Sequence, residues 1–151
     1  MLCVKRLIRP TLALLAAVLL TAVLGSALQT HFNLAALRAL DVAVPMAVQL
    51  RTTGADLLGF APGYAGLVAA GFLVAFLATA LLRRRWPGRR GLWFACAGAA
   101  SQLAMVLVMQ AVFGLTALSI ARSSAGVAAL MLAGAAGGLL YARLGARPTA
   151  A

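Results

Sequence analysis

Four long apolar runs, each almost free of charge, alternate with short polar segments along the chain. They fall at about residues 11–28, 64–82, 92–113 and 124–141. Eighteen helical residues rise about 27 Å, close to the ~30 Å hydrocarbon thickness of a bilayer, so each run predicts a membrane-spanning helix. The predicted fold is all-α: an integral membrane four-helix bundle forming one transmembrane domain over residues 1–151, with short interfacial helices between the first and second spans. Pro10 precedes the first run and suits the first turn of a helix, where a missing N–H costs nothing. The first 27 residues also admit a second reading, as a basic region, an apolar region and a small-residue cleavage site at Gly25-Ser26-Ala27. Such apolar regions usually hold about 7–15 residues, and this longer run favours a retained helix.

Residues 29–60 break the apolar pattern. They contain His31, Asn33, Arg38, Asp41, Gln49, Arg51 and Asp56, with Pro45 and Gly54 as punctuation. Two short helices are expected here. Asn33 can cap residues 34–40, with Arg38 and Asp41 spaced to pair, and Pro45 can open residues 46–53, with Gly54 as the stop. Leu34, Leu37, Leu40, Met46, Val48 and Leu50 supply apolar surface for lying in the membrane interface. Gly54, Gly59, Pro62 and Gly63 predict a turn-rich approach to the second span.

Small residues four apart let helices approach closely in lipid. The pattern occurs at Gly66/Ala70 and Gly71/Ala75, and most strongly at Gly134/Gly138, flanked by Ala133 and Gly137. Packing within the monomer is the expected use. Pro87-Gly88 supplies a reversal that makes the second and third spans a tight hairpin. Ser123 and Ser124 are candidate caps for the last helix, and the tail from residue 143 is expected to fray. On the third span Gln102, Met105, Val106, Met109 and Phe113 share a face, with Gln110 flanking it.

Composition supports lipid as the solvent. Hydrophobic residues make up 64% of the chain and charged ones 10%. A soluble domain carries about 25% charged residues, and one this small could not hide so much apolar surface. The net charge of +11 would suggest nucleic acid in a soluble protein, but ten of the thirteen basic residues sit at the ends of apolar runs. Those clusters are Lys5, Arg6 and Arg9; Arg83, Arg84, Arg85, Arg89 and Arg90; and Arg143 with Arg147. The positive-inside rule then places both termini and the Arg loop, residues 83–90, in the cytoplasm, and residues 29–60 on the other side. Trp86, Trp93 and Tyr141 are expected at the cytoplasmic headgroup level, with Phe60 and Tyr64 at the opposite one. Twelve arginines to one lysine, with abundant alanine, point to a GC-rich bacterial genome and hence to the inner membrane.

Candidate chemistry is sparse. One His and two Asp are the only potential acid–base groups of their kind, and His31, Asp41 and Asp56 all lie in the 29–60 segment. No spacing motif links them, so neither a catalytic triad nor a metal or haem site is expected, and no cofactor. Cys3 and Cys96 match no metal or redox spacing. None of the four runs holds Asp, Glu, Lys, Arg or His in its interior, which argues against a proton relay or an ion-coupled antiporter. The expected partners are anionic lipid headgroups at Arg83, Arg84, Arg85, Arg89 and Arg90, and other membrane proteins or copies of the chain. Nucleic acid is not expected. Three functions follow in order: a non-enzymatic accessory, assembly or scaffold component; a passive channel for a small neutral solute lined by Gln102, Gln110 and Ser101; and an interfacial enzyme using His31 and the aspartates.

Overall fold

A computed structural model describes residues 2–38, 45–59, 61–86, 88–113, 120 and 123–146. The described residues form five helices: α1 (Leu2–Arg38), α2 (Met46–Gly59), α3 (Ala61–Arg85), α4 (Arg90–Phe113) and α5 (Ser124–Leu144). Four of them, α1, α3, α4 and α5, are long and apolar enough to cross a membrane. The protein is an all-helical bundle with the architecture of a multi-pass membrane protein. Its outer surface supports this reading: Val74 is 70% exposed and Leu132 72%, while Phe72 is fully buried. Apolar side chains ring the bundle where water would penalise them and lipid would not.

The first helix departs from expectation. It starts eight residues before Pro10 and continues to Arg38, so Pro10 lies inside it and Asn33 is not a cap. The predicted helix over residues 34–40 is instead the last part of α1, as far as residue 38. Polarity at Gln29, Thr30 and His31 marks a change of surroundings, whereas a helix is ended by backbone chemistry, and no Gly or Pro stands between Gly25 and Pro45. Thr30 keeps its hydroxyl satisfied within the helix, donating to the Ser26 carbonyl oxygen at 3.1 Å. Asp41, the expected partner of Arg38, lies outside the described residues.

α2 likewise runs through Gly54, the expected stop, and ends at Gly59. One glycine costs a helix about 1 kcal/mol against alanine, too little to end it alone. The turn-rich approach to the second span is therefore mostly helical, and Pro62 and Gly63 fall in the first turn of α3. Leu50 and Leu58 on α2 are exposed, in keeping with an interfacial position.

The helices pack antiparallel in sequence order. The start of α1 meets the end of α5, where Arg9 Nε donates to the Leu144 carbonyl at 3.3 Å. The Arg83–Arg85 end of α3 and the Arg90 start of α4 belong to this same basic end, because Arg90 lies against Gly145. α5 packs most extensively against α4 and next against α1. Glycine explains both contacts. A Cβ added to Gly98 would overlap the carbonyl of Gly134, and one added to Gly138 would overlap the carbonyl of Phe94. On its other side, Gly137 brings α5 onto Thr21 and Ala17 of α1, and Thr21 Oγ1 donates to the Ala133 carbonyl at 3.4 Å. The predicted small-residue face of the last span is thus an internal packing face. Gly71 also makes a helix contact, against Ser101, but Gly66 has nothing near it and faces outward with Ala70.

An aromatic cluster fills the core toward the basic end. Phe76 stacks on Phe72 and on Tyr141, each at 4.6 Å between centroids, and Phe94 meets Phe76 edge-on at 5.4 Å. Tyr141 is therefore a half-buried core residue more than a headgroup anchor. Trp86 is exposed at the same end, and Trp93 packs against Gly88. Ser123 caps α5 as expected, its Oγ accepting from the Gly126 N–H at 3.0 Å. Ser123→Ala should cost about 1 kcal/mol in reversible unfolding and fray the first turn of α5 in hydrogen exchange. An unchanged exchange pattern at residues 124–127 would show that the cap is dispensable.

Candidate functional site

The most polar place inside the bundle is built around Gln102. Its position midway along α4 points it at the interior, and it is fully buried. Tyr64, in the first turns of α3, donates its hydroxyl to Gln102 Oε1 at 2.7 Å and is itself 2% exposed. The Tyr64 ring is thus turned into the bundle, not outward. A buried phenol needs an acceptor, and the glutamine of the neighbouring helix supplies it. Gly25 of α1 makes room for the tyrosine ring, since a Cβ there would overlap it. Phe60, expected at the same headgroup level as Tyr64, lies outside the described residues.

Around this pair lie polar groups of α1. Thr21, Ser26 and Thr30 are buried, and Ser26 Oγ, Gln29 Oε1 and Gln102 Nε2 have no hydrogen-bond partner among the described residues. Among the described residues the buried polar side chains are all uncharged: Thr21, Ser26, Thr30, Thr79, Ser101 and Gln102. Neutral groups cost far less than ions in a low-dielectric interior. They can hold a helix register or a water molecule, but they supply no acid, base or nucleophile activated by a partner.

The three residues of the predicted polar face are not brought together. Gln102 is inside and bonded to Tyr64, Ser101 is buried against Gly71, and Gln110 is exposed on the outside of α4. Eight residues on a helix turn about 80° past whole turns, which carries Gln110 from the buried side of α4, where Phe94, Ser101, Gln102 and Val106 lie, onto its exposed side. Met105 and Met109 line an apolar groove of about 480 Å³ between α3 and α4, open to the outside.

His31 is exposed on α1, its ring edge-on to Phe32 at 6.4 Å. Asp41 and the side chain of Asp56 lie outside the described residues, so no constellation of the three is assembled among those described. No three His, Cys, Asp or Glu side chains converge there as a metal would require. Cys96 is a free, exposed thiol. At the basic end, Arg84, Arg85 and Arg89 are exposed, whereas Arg83 and Arg90 are half-buried.

Two features escaped sequence reasoning. Tyr64 reads as a span-end aromatic, and only the need to satisfy its hydroxyl together with the mid-span Gln102 could have paired them. Ser26, Gln29 and Thr30 read as the exit from the membrane, although Ser26 and Thr30 line a helix contact. The chain matches no protein-family model, no curated protein and no solved structure.

Proposed function

We propose that this protein is a non-enzymatic accessory, assembly or scaffold component of the bacterial inner membrane, with both termini and the Arg turn in the cytoplasm. The orientation rests on charge: ten basic residues belong to the N-terminal, loop and C-terminal clusters, and both acids fall between the first two spans. One observation carries the functional reading. The described interior is filled by glycine-faced backbone contacts and sealed at its most polar point by the Tyr64–Gln102 hydrogen bond, with no charged side chain buried in it. Such an interior is suited to holding a shape, and the shape is what an assembly partner would use.

A passive conduit is the natural rival, and vesicle flux separates the two. Proteoliposomes should release a small neutral solute such as glycerol no faster than empty vesicles. Release that rises with protein content and falls for Gln102→Leu would overturn the scaffold reading in favour of a pore through the bundle.

A further inference from the structure

The half-buried pair Arg83 and Arg90 differs from its exposed neighbours. Arg83 lies in the last turn of α3 and Arg90 begins α4, so the connecting turn brings both to the basic end of the bundle. Arg83 Nη2 donates to the Gly88 carbonyl at 3.4 Å, and Arg90 lies with its Cζ 5.4 Å from the Phe94 ring centroid. On its other side Arg90 rests against Gly145 at the end of α5. These contacts fix both guanidinium groups in place yet leave donors unused. Arg83 Nε and Arg90 Nε are buried with no acceptor among the described residues. The two cations also repel one another. Among the described residues no carboxylate side chain is paired with them, and the chain's two acidic side chains, Asp41 and Asp56, fall between α1 and α3 in the sequence.

Two fixed, like-charged forks that keep part of their surface open beyond the buried Nε atoms call for an oxyanion at those open edges, and phosphate fits the planar fork best. The surroundings say where that phosphate comes from. Leu81, Leu82 and Leu92 are exposed beside the arginines at 55%, 45% and 63%. Exposed Trp86 marks the same level. A soluble anion would gain nothing from this apolar collar, whereas a lipid would lay its acyl chains on it. The α3/α4 groove begins at Ala75, about 12 Å along the helix from Arg83 and within the ~15 Å that one leaflet's acyl chains span.

We propose that Arg83 and Arg90 clamp the phosphate of an anionic membrane lipid at the end of the α3/α4 hairpin. The clamp does not depend on the scaffold reading. The test is native mass spectrometry of the full-length protein released from phosphatidylcholine vesicles containing a minority of phosphatidylglycerol. Retained phosphatidylglycerol should fall about twenty-five-fold in R83Q/R90Q, the product of about five-fold per arginine. R84Q/R85Q removes the same charge from exposed positions and should lower retention less than about five-fold. R83K/R90K, which keeps charge without the fork, should fall between wild type and R83Q/R90Q, and it serves in place of R83Q/R90Q if that variant does not fold. Equal losses in R83Q/R90Q and R84Q/R85Q would reduce the effect to diffuse attraction and overturn the clamp. Retention by R83K/R90K equal to wild type, or displacement of the lipid from wild type by inorganic phosphate, would overturn it as well.

Discussion

Gly138→Leu should destabilise the bundle by about 3 kcal/mol or more in reversible unfolding from mixed micelles, and Gly134→Leu should do the same. The reason is backbone proximity. At Gly138 even a Cβ would overlap the Phe94 carbonyl, and at Gly134 it would meet the Gly98 carbonyl and Gln102 Cγ. Backbone atoms cannot rotate out of the way as a side-chain end can, so α4 and α5 must separate along the length of their contact. In lipid that separation forfeits the dispersion contacts that hold helices together, since the hydrophobic effect no longer distinguishes lipid from helix. Leu139→Ala, on the outward side at 39% exposure, should stay within about 0.5 kcal/mol. Equal tolerance of all three substitutions would show that neither glycine sits at a helix contact.

The Tyr64–Gln102 bond carries the second large effect. Tyr64→Phe removes the donor and leaves Gln102 with both amide atoms unpartnered, while Gln102→Leu removes the acceptor that the Tyr64 hydroxyl uses on α4. Each should cost about 1–2 kcal/mol, and the double variant should cost less than the sum, with a coupling of about 0.6–1.7 kcal/mol. Additive losses would mean that the two side chains touch without a bond that matters.

The spans were readable because an apolar run of about twenty residues has few alternatives to crossing a membrane. Gly134/Gly138 was readable for a related reason, since small residues at that spacing have little use in lipid except close packing. The ends of elements were less so. Residues 29–38 lose their apolar character while remaining helical, because hydropathy reports the solvent around a helix and the backbone reports its continuity. Gln110 shows the limit of a helical-wheel argument. It flanks Gln102 on the wheel, yet it lies just past the side of α4 that α3 and α5 cover, and so faces outward. The Arg83/Arg90 pair could not be separated from Arg84, Arg85 and Arg89 by sequence, because only the turn geometry decides which guanidinium groups are fixed. His31 is placed, on the outside of α1, but its relation to Asp41 and Asp56 falls on residues outside those described.

A scaffold must be found with what it scaffolds. The most direct measurement is the mass and composition of the complex released from native membranes in lipid nanodiscs, without prior detergent exchange. The scaffold reading predicts a second membrane protein at a fixed ratio to this chain, retained in R83Q/R90Q and lost in Gly138→Leu. A partner-free monomer that turns over a substrate or conducts a solute would contradict it.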